Sequence, residues 1–214
     1  WTGGKGAVLW RAKLVETGGA ARLDGLKEIF RATPFVEGNG HYSARIAIAP
    51  DGKHLFFTNG ERQKFQPAQD PKATLGKVLR LNLDGSVPED NPFVGQAGAL
   101  PEIWSYGHRN SQGLAFDPRS GKLWQSEPGP RGGDAINMPL PGRNYGWPIV
   151  THGINYSGQP IPEAVGESRD GMEPPHFVFE VSPALSGMAF YTGRPGQPWN
   201  DSLFLGALAQ RNLI

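Results

Sequence analysis

The feature that most constrains this chain is a strand–turn–strand unit that returns about every 70 residues, a period too long for helical repeat arrays. Residues 46–57 alternate Ile46 and Ile48 with small side chains, turn at Asp51-Gly52, and resume at Leu55 to Phe57. Residues 114–124 repeat the plan around Ser120-Gly121. A third copy runs from Met188 to Tyr191 and resumes at Leu203 to Leu205, with a longer, Pro-containing turn from Thr192 to Asp201. Glycine at such turns accepts the positive φ that a tight reversal requires. A second element with half-buried alternation, residues 8–14, recurs as residues 78–83 before Asp84-Gly85. Helix signals are few, because Pro or Gly interrupts most three- and four-residue apolar spacings. The pattern predicts an all-β chain: about three blades of a β-propeller with long inter-strand loops.

Composition supports short strands and irregular loops. Gly 30 and Pro 20 approach the level at which disorder is considered, yet six Trp and eleven Phe supply enough apolar surface to fold. Closure of a propeller needs more blades than three, Trp1 to Leu14 already reads as part of a strand pair, and residues 211–214 stop inside an apolar run. The expectation is therefore one partial propeller domain over residues 1–214, truncated at both ends. A net charge of +1 with scattered Lys and Arg gives no electrostatic case for nucleic acid. The absence of Cys excludes disulfides, Cys-ligated zinc, iron–sulfur clusters and a thiol nucleophile. No apolar run reaches the length of a membrane span, and with no leader pattern at Trp1 the protein is either cytoplasmic or has had a leader removed.

Three segments concentrate chemistry. His41 ends the Gly38-Asn39-Gly40 loop and leads directly into a strand, where a neutral imidazole serves either as a general base at the propeller mouth or as a turn cap. Residues 104–113 set His108, Arg109, Asn110 and Gln112 between Gly107 and Gly113. Arg beside Asn suits bidentate binding of planar carbonyl or carboxylate groups, the alternative being a hydrogen-bonded inter-blade loop. Residues 126–134, rich in Gly and Pro, expose carbonyls that are hard ligands for calcium, although the spaced acidic ladder of an EF-hand is missing. Asn144-Tyr145-Gly146-Trp147-Pro148 follows, with aromatics expected to pack a blade interface rather than stack on substrate. His54, His108, His152 and His176 lack zinc-protease spacing, and there is no Gly-x-Ser-x-Gly or Gly-x-Gly-x-x-Gly motif.

Gly107-His108-Arg109-Asn110-Ser111-Gln112-Gly113-Leu114-Ala115-Phe116, with Gly129-Pro130-Arg131-Gly132-Gly133-Asp134 and Asn144-Tyr145-Gly146-Trp147-Pro148, closely resembles the soluble PQQ-dependent glucose dehydrogenase and aldose sugar dehydrogenase family. The resemblance extends through His41-Tyr42-Ser43-Ala44-Arg45, residues 75–81 and residues 186–191. It implies a six-bladed propeller that binds pyrroloquinoline quinone (PQQ) and Ca2+ and oxidises the anomeric hydroxyl of an aldose sugar to the lactone. His41 then matches the general base, with hydride passing to the quinone. Arg109 and Asn110 match the pair on the quinone oxygens, and Gln112 lies in the same cofactor-binding motif. The carbonyls of Gly129 and Pro130 match calcium ligands. An electron acceptor of the cell envelope and a periplasmic or secreted location are implied likewise. Three positions depart from the pattern: Ala135 replaces a Glu that serves a further structural calcium in some members, Ala209 falls near a PQQ-binding Lys, and Pro128 replaces a polar residue. These departures leave a second reading open, in which the same propeller mouth is a non-catalytic binding module for a sugar or protein partner.

Overall fold

The computed structural model describes residues 4–193 and 196–214. Among the described residues thirteen strands fall into four antiparallel sheets that follow one another along the chain. A two-stranded hairpin comes first, β1 (Val8–Thr17) with β2 (Ala20–Arg31). A four-stranded meander follows: β3 (Ser43–Ile48), β4 (His54–Asn59), β5 (Lys77–Asn82) and β6 (Ile103–Tyr106). The next is β7 (Gly113–Phe116), β8 (Leu123–Glu127), β9 (Asp134–Asn137) and β10 (Phe177–Phe179), and β11 (Leu185–Phe190), β12 (Leu203–Ala207) and β13 (Asn212–Leu213) complete the described chain. Among the described residues the one helical element is a 3-10 turn at Gln66–Ala68, and no helix is long and apolar enough to cross a membrane. Trp1 and the middle of the third turn, at 194–195, lie outside the described residues.

Each expected strand–turn–strand unit is the first antiparallel pair of a sheet. Leu55 to Phe57 face Ile48 to Ile46 across β3 and β4, and Phe116 faces Leu123 across β7 and β8. The two-residue side-chain period then decides which neighbour each strand touches. On β4, Leu55 and Phe57 join Phe30 of β2 and Ile103 of β6 in one core, while Phe56 between them packs with Leu114 and Leu123 of the following sheet. A further core joins Ile136 of β9 to Leu185 and Leu205 of the last sheet. Both faces of a central sheet are thus buried against sheets, and the first strands β3, β7 and β11 lie side by side. This is the blade packing of a propeller. Fourth strands β6 and β10 belong to the same blades, although residues 103–106 and 177–179 are too short for alternation to reveal.

Candidate active site

Chemistry gathers at the end of the blades where β4 leaves and β7 enters. Asn59 closes β4, and Gly60-Glu61-Arg62 turns the chain beneath the loop that carries His41. Gly60 is required there: a Cβ would lie 2.1 Å from the His41 carbonyl oxygen, a contact that backbone cannot relieve cheaply. Arg62 is buried and clamps that loop, donating to the carbonyls of Gly38, Gly40 and Lys5 while its guanidinium lies 3.6 Å from the Tyr42 ring centroid. His41 and Ser43 both hold positive φ, 51° and 57°, which costs on the order of 1 kcal/mol each outside glycine and persists where surroundings over-determine it. One such constraint is Asn110, whose Oδ1 accepts from the backbone N (3.2 Å) and the hydroxyl (3.1 Å) of Ser43.

Under the imidazole sits a carboxylate. Glu61 is fully buried; Oε1 meets His41 Nδ1, and Oε2 accepts from the backbone N–H groups of Lys64 (2.5 Å) and Phe65 (2.8 Å). A carboxylate only accepts, so Nδ1 carries the hydrogen and Nε2 presents its lone pair. His41 Nε2 is then free to accept a proton with a carboxyl group behind the ring, the arrangement a general base requires. The ring shares a cavity of about 220 Å³ with Arg109, Pro130, Trp147 and Tyr156.

Arg109 is buried, and its Nη1 donates to the carbonyls of Pro128 (3.1 Å) and Gly129 (2.9 Å). Its guanidinium stands 5.3 Å from the Trp147 ring centroid, and Nε, buried, has no partner. The loop after β8 therefore turns two carbonyls toward a cation. Its shape comes from Asp134, buried at the start of β9, whose Oδ1 accepts from Gly129 N (3.0 Å) and whose Oδ2 accepts from Leu185 N (2.8 Å). Glu127 fixes the other loop, Oε2 accepting from Arg109 N (2.8 Å) and Asn110 N (3.1 Å). Burial opposes ionisation of Glu127, but His108 and those two N–H groups outweigh it and hold the carboxyl below its ordinary pKa.

The structure brings His41, Arg109 and Pro130 to one cavity. Gly129 lines a second, of about 170 Å³, on the other side of Arg109 and Trp147. Asn110 and Gln112 stand beside the first cavity rather than in its wall, Gln112 Nε2 donating to Asn110 Oδ1 at 3.1 Å. His108 is buried between Ser105 Oγ and Gln125 and stacks on Tyr145, so it supports the loop. Trp147 does pack as expected, against Phe65, but it also separates the two cavities as a shared wall. Ala135 lines the second cavity with a methyl group, and Ala209 is exposed in the turn after β12. No cluster of three His, Asp or Glu side chains able to hold a metal occurs among the described residues. Sequence reasoning missed Glu61 and Arg62; the signal available was a charged pair at the exit of a strand, directly after a glycine.

The family model described as Glucose / Sorbosone dehydrogenase matches residues 2–214. Aldose sugar dehydrogenase YliI of Escherichia coli (strain K12) is 47% identical over 195 residues, covering 91% of this chain and 52% of that protein. A solved glucose dehydrogenase superposes with a TM-score of 0.95 at 51% identity, over 100% of this chain and 61% of the other. The PQQ-bound aldose sugar dehydrogenase of Streptomyces coelicolor gives a TM-score of 0.69 at 32% identity, over 90% of this chain and 49% of that one. The chain thus spans about half the length of the curated relative.

Proposed function

Because the chain belongs to the Glucose / Sorbosone dehydrogenase family, we propose that it carries the proton-transfer half of a PQQ- and calcium-dependent site that oxidises the anomeric hydroxyl of aldose sugars to the lactone. The observation that carries this reading is the His41–Glu61 pair opening into the cavity that also holds Arg109. Aldose oxidation removes a proton from the anomeric O–H and two electrons with the C1 hydrogen; PQQ, when bound, supplies the electron acceptor. His41 Nε2 takes the proton, and Glu61 favours the resulting imidazolium while fixing the ring orientation.

The residues present suit both groups. Arg109 offers a guanidinium with an unpartnered buried Nε beside the flat Trp147 wall, as a planar polycarboxylate needs. Carbonyls of Gly129 and Pro130 are hard oxygen donors, and that of Gly129, which accepts from Arg109 Nη1 at 2.9 Å, keeps a second lone pair for a metal. Asn110 and Gln112 are proposed as cofactor-side groups through the amide N–H atoms left over from their contacts with Ser43 and each other. The sugar substrate, an electron acceptor of the cell envelope and a periplasmic or secreted location are part of the same proposal.

The test is a PQQ titration of the full-length protein with and without Ca2+, followed by absorbance. Stoichiometric, calcium-dependent binding and bleaching by an aldose are expected. Well-folded protein that binds a sugar but no PQQ would refute the dehydrogenase reading in favour of a binding module.

A further inference from the structure

Part of the wall of the His41 cavity is built by a tight turn that has no part in the proton transfer. Asn155 N donates to Gln159 O (2.8 Å) and Gly158 N to Asn155 O (2.8 Å), so residues 155–159 close on themselves. Both stems of this turn are anchored. Before it, Ile154 pairs with Arg131 through two backbone hydrogen bonds of 2.8 and 3.1 Å, which ties it to the carbonyl loop. After it, Ile161 is buried with Ala68 and Trp147. Tyr156 is held at the tip of this turn, 69% exposed, and lines the His41 cavity together with Gln63 and Asn155.

A large ring so exposed contributes little to the core, yet the backbone that carries it is anchored on both sides before any ligand arrives. Asn155 uses its Oδ1 only in a long 3.4 Å contact with Ser157 N. Its amide, like that of Gln63, has donors and an acceptor to offer. A pyranose whose hydroxyls are equatorial has the complementary surface, with axial C–H groups forming an apolar face and a rim of donors and acceptors.

We propose that Tyr156 is the specificity-determining platform of the sugar subsite, packing against the C–H face of an equatorial aldopyranose, with Gln63 and Asn155 binding its rim hydroxyls. This rests on the dehydrogenase reading and names its substrate class. An axial hydroxyl on the face laid against Tyr156 points into its ring, so the platform discriminates against sugars that carry one on that face.

The experiment is steady-state dye reduction by full-length protein loaded with PQQ and Ca2+, with D-glucose (equatorial), D-galactose (axial 4-hydroxyl on one face) and D-allose (axial 3-hydroxyl on the other) as probes. Tyr156→Ala should raise KM for D-glucose about tenfold or more, the scale of losing one apolar contact face. Its kcat should change less than threefold, and the preference for D-glucose should shrink against one of the two axial sugars, the one whose axial hydroxyl lies on the packed face. Tyr156→Phe, which keeps the ring, should restore KM and preference together. A Tyr156→Ala KM within twofold of the unsubstituted protein overturns the subsite while leaving the dehydrogenase standing. Absence of turnover in the unsubstituted, cofactor-loaded protein overturns both.

Discussion

Replacing Glu61 by Gln changes the His41 site by one charge and two hydrogens while conserving shape, and the surrounding contacts fix the consequence. The carboxylate satisfies three donors: Lys64 N and Phe65 N on Oε2, and His41 Nδ1 on Oε1. An amide has one oxygen. The two backbone N–H groups cannot turn away, so that oxygen stays with them and the amide nitrogen faces His41 Nδ1. The ring must then accept at Nδ1 and carry its hydrogen on Nε2, where it donates to the sugar instead of accepting from it. Loss of the general base, with loss of the charge that favours imidazolium, should lower kcat about 10³- to 10⁴-fold, or about 4 to 5.5 kcal/mol of barrier. The opposite rotamer keeps the tautomer but sets an NH2 group against two N–H groups in a fully buried place, costing about 1–3 kcal/mol of stability. The assay is dye reduction with saturating aldose by full-length protein loaded with PQQ and Ca2+, beside urea denaturation of the same variant. Unchanged stability with kcat within threefold of the unsubstituted enzyme would refute the assignment of Glu61 as the partner of the base.

Two further substitutions probe the frame around that pair. Gly60→Ala drives a methyl group into the His41 carbonyl and should cost about 1–3 kcal/mol of stability, with kcat falling because the His41 loop is displaced; paired denaturation and rate measurements check this. Lys77 is buried and donates to the carbonyls of Pro67 (2.7 Å), Ala68 (3.0 Å) and Leu75 (2.8 Å), so Lys77→Met should lower the denaturation free energy by about 2–4 kcal/mol. Burial pushes Lys77 down to about 7 from its ordinary 10.5. Between these values the unfolded chain binds the proton that the folded one has released, so stability should rise with pH through that window, and this rise should be missing in Lys77→Met. Urea midpoints at several pH values in that interval read the difference.

Some of this protein is written locally and some is not. Alternation around Asp51-Gly52 and Ser120-Gly121 announces hairpins because side-chain period and turn geometry are properties of adjacent residues. The runs at 107–116 and 129–134 likewise mark the loops that carry Arg109, Gly129 and Pro130, since a polar cluster between glycines is visible without knowing what it faces. His41 was legible as an imidazole at a strand entrance, but its partner was not: Glu61 lies 20 residues away, and only the pairing of β3 with β4, with Gly60 allowing close approach, sets the carboxylate under the ring. A strand as short as Phe177–Phe179 is not legible because three residues cannot display a period, and it is defined by its antiparallel pairing with β9. Arg109 stands out by its sequence neighbours, whereas its contacts with Pro128 and Gly129 and its place beside the Trp147 ring depend on three loops converging. The sequence by itself determined an all-β chain of repeated hairpins and the identity of its chemically rich loops, because those follow from local pattern. Which side chains meet at the mouth, and that an exposed Tyr156 lines the same cavity as His41, was decided by blade packing, which joins residues as far apart in sequence as Gln69 and Trp147 by hydrogen bonds.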